Sequence, residues 1–266
     1  MAISIDSLWQ LVAETPDDIG ARLVLADALI EQGNARGELI TLQCRGADAS
    51  MLVGSEAEAV EENVAERVSE LIAANWTTWL GDLAALLVRQ GSTFQDGLLS
   101  LVQVGGESTP HSAWAQFAGH RELCAVKRVR PFKVRADHYA MFLAGMTRDP
   151  AFVEVHQPLV LRNLRARRER WGIRHLRFGG IAWWSRAGSE PNILGSELQA
   201  LAEMAKDLET IEIPPTHAFS TELAEVAARL PRMFPKLQHV RLEDSDRGWL
   251  QESEGRLREM KHVVFD

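Results

Sequence analysis

The sequence predicts an α/β chain, in which an N-terminal helical part precedes strand-and-helix units whose strands form a parallel sheet with helices on the outer face. Three observations carry that expectation. Apolar residues recur at helical spacing through the N-terminal part, and from about Leu98 the period becomes that of strands. From there one template recurs, apolar-x-x-apolar-x-apolar, at Leu99/Val102/Val104, Ile173/Leu176/Phe178, Leu208/Ile211/Ile213, Leu237/Val240/Leu242 and Met260/Val263/Phe265. Recurrence of one pattern is the mark of stacked units that bury a shared apolar face.

The helices are justified in order. Ser7 with Gln10 resembles a capping box, and Leu8, Leu11 and Val12 follow at helical spacing. This helix stops near Glu14, where Thr15-Pro16-Asp17-Asp18 offers an N-cap, a proline for the first helical position and two acids for the helix dipole. In the second helix Ile19, Leu23, Ala26 and Ile30 share a face that Leu25 and Leu29 widen, and Gly33 is placed to end it in the left-handed conformation. Leu39–Gln43 reads as a third, shorter helix. Ser55 to Asn75 reads as a fourth, with Val60, Val64, Val68, Leu71 and Ile72 along one side.

These residues carry a resemblance. Pro16-Asp17-Asp18, Arg22-Leu23-Val24, Ala26-Asp27, Leu29, Glu31, Gly33 and Arg36-Gly37-Glu38 with Ile40, Leu42 and Gln43 resemble the bacterial repeat-companion domain, whose members often precede degenerate leucine-rich repeats. The likeness continues through Glu70-Leu71-Ile72-Ala73-Ala74 and Trp79-Leu80-Gly81. It departs at Leu25 and Ala28, where the family usually has aromatic residues. The resemblance implies a helical repeat-companion module at 1–92 followed by an irregular leucine-rich-repeat-like domain at 93–266, with the module as a helical cap on the arc. It implies no catalytic activity. Arg22, Asp27, Arg36 and Glu38 are expected to pair with one another or to cap helix ends.

Between the last four template matches lie helical segments, clearest at 196–207, opened by Ser196 and Gln199, and at 221–230. The stretch 123–172 fits less well: Val126–Pro131 reads as a strand, and Phe152–Trp171 as a long helix with a basic end.

Composition narrows the function classes. No stretch approaches the ~20 apolar residues that span a bilayer, and the first residues lack a basic region followed by an apolar core. Cys44 and Cys124 match no metal or redox spacing. A cytoplasmic, bacterial protein without membrane contact is the expectation. Net charge is −8, unevenly placed: residues 1–92 carry 15 acidic and 5 basic side chains, residues 121–177 carry 5 acidic and 14 basic. Such a basic region, notably Arg162, Arg165, Arg167, Arg168 and Arg170, suits nucleic acid or an acidic partner, or equally a solvated face whose ion pairs reach the acidic residues elsewhere.

Catalytic motifs are lacking. None of the eight histidines sits in HExxH or beside cysteines at ligand spacing, and no nucleophile elbow, Walker loop or GxGxxG is present. Gly105-Gly106 and Gly179-Gly180 suit turns, and Asp244-Ser245-Asp246 lacks the remaining ligands of a calcium loop. The expectation is no enzyme, no cofactor and no metal.

One constellation stands out. If the last four units stack in register, one row carries Arg177, Glu212, Arg241 and Val264, and the next carries His175, Thr210, His239 and His262. That polar, partly titratable face either binds a partner or neutralises itself in solvent. Trp183 and Trp184 follow one of the template strands, where large aromatics can anchor an interface or fold back over a helix layer. The expected site therefore comprises His175, Arg177, Trp183, Trp184, Glu212, His239 and Arg241, and the expected role is a scaffold binding another protein through the concave sheet and its loops, with nucleic acid or an acidic partner at 121–177 as the alternative.

Overall fold

The computed structural model describes residues 4–45, 55–106, 109–157, 159–179, 193–213, 220–242 and 258–265. The fold is α/β with a mostly parallel sheet. The chain forms two compact units, the first being Met1–Thr109 with Phe117–Val126 and Met146–Arg148, and the second Pro110–Gln116, Lys127–Gly145 and Asp149–Asp266.

The first unit holds helices α1 (Ile5–Glu14), α2 (Ile19–Glu31), α3 (Ala35–Arg45) and α4 (Ser55–Leu80) and strands β1 (Thr93–Gln95) and β2 (Leu98–Val104). The caps of the first two helices each lie three residues from the positions read from the sequence. Ser4, not Ser7, caps α1: its Oγ accepts the Ser7 amide at 3.1 Å. Asp18, not Thr15, caps α2, its Oδ1 accepting the amides of Gly20 and Ala21. Thr15 instead closes α1, its hydroxyl donating to the Leu11 carbonyl at 2.9 Å. Asp18 wins because one carboxylate oxygen satisfies two orphan amides and places charge at the positive helix end. Gly33 (φ +69) does end α2, donating to Ile30.

The buried face of α2 is Ala21, Arg22, Leu25, Ala26 and Leu29, whereas Ile19 and Ile30 are about half exposed. The expected face is therefore rotated. At Gly37, α3 lies so close to α2 that a Cβ would sit 2.5 Å from the Ala26 carbonyl oxygen and 2.8 Å from Cγ1 of Ile30. With Leu8, Trp9, Val12 and Ile40, the buried Ala21, Leu25, Ala26 and Leu29 of α2 form one core cluster that also holds both cysteines, neither of them in a disulfide. Burial pushes the Cys124 thiol up to about 11.

Strands β1 and β2 form an antiparallel hairpin that the sequence reading missed, turned by Asp96 (φ +51) and Gly97 (φ +80). Asp-Gly favours the two-residue turn with positive φ at both positions, and Phe94-Gln95-Asp96-Gly97-Leu98 carried that signal. The four charges of the N-terminal motif do not pair with one another. Arg22 reaches Asp96 at 2.7 Å and donates to the Pro16 carbonyl, and Glu38 meets Arg67 at 2.7 Å. Arg36 and Glu122, each 2% exposed, form a buried ion pair. The Arg36 guanidinium lies 4.7 Å from the centre of the Trp79 ring and 4.5 Å from that of Phe94, so aromatic faces offset part of its lost hydration.

In the second unit strands β3 (Arg128–Pro131), β4 (Phe152–Val155), β5 (His175–Phe178), β6 (Thr210–Ile213), β7 (His239–Leu242) and β8 (Val263–Phe265) pair parallel in sequence order. The connecting helices are α6 (Ala136–Gly145), α7 (Leu159–Arg165), α8 (Ile193–Met204) and α9 (Ser220–Met233), each packed on the next; the short α5 (Ala113–Gln116) precedes β3 and packs on α6. Alternate strand residues are buried: Val129, Val153, Val155, Leu176, Phe178, Ile211, Ile213, Val240 and Leu242 are all 2% exposed or less. Val263 is half-buried, and the Phe265 side chain lies outside the described residues.

The expected long helix Phe152–Trp171 is a strand and a helix. Phe152-Val153-Glu154-Val155 alternates in polarity and is β-branched at its buried positions, which favours the pleat. Tyr139 of α6, 1% exposed, donates its hydroxyl to the Glu154 carbonyl at 2.8 Å, tying helix layer to sheet. Among the described residues no helix is long and apolar enough to cross a membrane.

Candidate functional site

Parallel register aligns the strand residues that do not face the helices into two rows. The first pairs Arg128 with Phe152, Phe152 with His175, His175 with Thr210, and Thr210 with His239. The second pairs Glu154 with Arg177, Arg177 with Glu212, Glu212 with Arg241, and Arg241 with Val264. Arg130 extends this row on β3, its Nε 3.6 Å from Oε2 of Glu154. The second row thus alternates in charge from β3 to β7. The apolar residues face the helices because the strand period is two, so the residues between them must occupy the other face.

Two carboxylates anchor the rows. Glu212, its side chain 16% exposed, has Oε1 2.8 Å from Nε2 of His175 and 3.9 Å from Nη1 of Arg241, while its Oε2 is 3.9 Å from Nε of Arg177. The nearness of His175 is the chief reason that its carboxyl is held below the usual range; Arg177 and Arg241 add to it, and burial opposes it. Glu154 repeats the arrangement with His156 at 2.8 Å and Arg130 beside it. Burial there pushes the carboxyl up, but His156, Arg177 and Arg130 outweigh it and the net shift is downward.

The arginines and histidines lie further out. Arg130 and Arg241 are 39% and 43% exposed, and His239 is exposed. Phe152 interrupts the polar row: the His175 ring meets it edge-on at 4.7 Å, and the guanidiniums of Arg128 and Arg130 lie 5.8 and 5.9 Å from its centre. The face therefore offers outward donors over carboxylates that fix their positions, with an aromatic patch at one end. Such a surface suits a ligand that carries acceptors and an apolar group together.

Of the residues expected from sequence, His175, Arg177, Glu212, His239 and Arg241 come together here. Trp183 and Trp184 lie outside the described residues, as does Asp244-Ser245-Asp246. His262 is not available to the histidine row in this structure, because its Nε2 is 3.0 Å from the Ala227 carbonyl of α9. Sequence reasoning missed Arg130, Phe152, Glu154 and His156. Their signal was present: Val126/Val129/Pro131 and Pro150/Val153/Val155 match the repeated template once proline counts as an apolar position.

The basic region is extensively paired. Arg135 meets Asp137, Arg165 meets Glu203, Arg168 meets Asp149 and Arg170 meets Asp207, while Arg121 reaches Asp6 and Arg148 reaches Asp17.

No protein-family model, no curated protein and no solved structure matches the chain.

Proposed function

We propose that this chain is a non-catalytic scaffold that binds another protein through the helix-free face of its parallel sheet. The observation that carries this reading is the continuous ladder Arg130-Glu154-Arg177-Glu212-Arg241, whose carboxylates are largely buried and whose outer arginines remain solvent-accessible. Positioned cations with restricted rotamers lose less entropy when a partner engages them, and charge patterning of this kind selects partners by complementarity. On this reading the strand-and-helix units form an irregular leucine-rich-repeat-like arc, and the N-terminal helices that resemble the bacterial repeat-companion domain are its cap. A cytoplasmic setting accords with two free, buried thiols.

Nucleic acid is less well supported as the ligand, since Arg165, Arg168 and Arg170 already face carboxylates that phosphates would have to displace. The test is site-specific photo-crosslinking in native lysate. A photoreactive side chain at His239, on the ladder face, is expected to give a discrete protein adduct, and one at Lys206, beyond the end of α8, is expected to give none. Equal labelling from both positions, or none from His239, contradicts the reading.

A further inference from the structure

His111, in the turn before α5, and Asp137 and His138, in the first turn of α6, each bring one donor atom to within 4.8 Å of the others. All three belong to the second unit, and none takes part in the ladder. His138 is only 3% exposed, yet its Nδ1 has no hydrogen-bond partner among the described residues, and its Nε2 lies 4.0 Å from Oδ2 of Asp137. Nε2 is thus the ring nitrogen beside the carboxylate, and it is the atom that would face a cation held there. The His138 ring is also held in place. Trp114, 1% exposed, stacks on it at 5.0 Å and 19°, and the His111 ring stands 5.3 Å away.

We propose that His111, Asp137 and His138 form a binding site for a divalent cation of the zinc type. Two imidazole nitrogens and one carboxylate oxygen are the donor set that borderline-soft zinc takes, whereas magnesium and calcium prefer oxygen alone. In a tetrahedral site with bonds of about 2.0–2.1 Å the donors stand about 3.4 Å apart. Closure therefore needs a shift on the order of 1 Å, which rotation of the exposed His111 side chain can supply. The carboxylate is already oriented: Arg135 donates from Nε to Oδ1 at 3.1 Å and from Nη2 to Oδ2 at 3.0 Å.

Exposure on the His111 side leaves a fourth position for water or for a donor from a partner. The ion would also clamp the segment Pro110–Gln116 to the start of α6 within the second unit. No sequence spacing announced this site, because His111 and the Asp137-His138 pair are joined only by the packing of α5 on α6.

The experiment is zinc titration of the full chain after chelator treatment, by competition with a chromophoric chelator, on wild type, His111→Ala and Asp137→Asn. Cobalt substitution gives a second readout through the visible bands of a tetrahedral site. The expected result is one equivalent of zinc per wild-type chain, an affinity lower by about 100-fold or more in His111→Ala, a loss of the cobalt bands, and metal-free thermal melts that coincide, since His111 is exposed. Failure of the wild type to take up one equivalent overturns the proposal. So does uptake that both variants leave unchanged, which would place the ion elsewhere.

Discussion

Oε1 of Glu212 lies 2.8 Å from Nε2 of His175 on the adjacent strand, which fixes the carboxylate between two arginines. The contact gives the ladder face a definite pH dependence. The folded-state pKa of Glu212 lies below its ordinary value of 4.5. The ionised carboxylate therefore stabilises the fold fully above the unfolded-state value, and that stabilisation disappears as pH falls through the folded one. Glu154 has the same sign. Urea unfolding of wild type and of a Glu154→Gln/Glu212→Gln variant is expected to differ at neutral pH and to converge as pH falls through the folded-state values of both carboxyls. A gap that persists undiminished in acid would show that the loss is one of packing rather than charge.

The apolar ridge makes a second expectation. Ile211 is fully buried between β5 and β7, so Ile211→Ala should cost about 2–5 kcal/mol. Ile30→Ala should stay within about 0.5 kcal/mol, because Ile30 is 48% exposed. Denaturant midpoints at constant m-value measure both. Equal costs would mean that the helical periodicity of α2, rather than the packing seen here, identifies its buried face.

Much of this fold is legible in the sequence, and the exceptions have physical causes. The template residues become strands because alternation puts every second residue under the helices, and their register follows from equal offsets in each unit. Ile19 and Ile30 mislead because apolar spacing defines a stripe without saying which part of it the neighbouring elements cover. Phe152–Val155 reads as helix from apolar content alone, although its alternation is that of a strand. Arg130 and Glu154 of the ladder escape notice because Pro131 and Pro150 stand where the other units carry aliphatic residues. The cluster at His111 and His138 depends on tertiary packing and leaves no trace in the spacing.

Arg36 and Glu122 provide a third expectation. Burial lowers the Arg36 pKa despite the neighbouring Glu122, and each side chain is 2% exposed. Replacing one partner leaves a buried charge without compensation, so Glu122→Ala should destabilise the chain by about 3–5 kcal/mol. An apolar pair, Arg36→Met with Glu122→Leu, should recover a large part of that loss. Thermal or urea unfolding of the two variants checks this. A double variant as unstable as the single one would mean that the stacking of Arg36 on Trp79 and Phe94 matters more than the ion pair.

Partner capture is tested most directly by charge reversal on the ladder, with a thermal melt of each protein alongside. Arg241→Glu alters a residue 43% exposed and places a second acid beside Glu212, so it should change the melt little, by at most about 1 kcal/mol. Glu212→Lys puts a fourth basic side chain beside His175, Arg177 and Arg241 on a side chain 16% exposed, and its stability loss should be larger. The decisive measurement is therefore affinity capture from native lysate by wild type and Arg241→Glu at matched concentration of folded protein. Loss of the captured protein with an unchanged melt is the result this account predicts; equal capture by both proteins would contradict it.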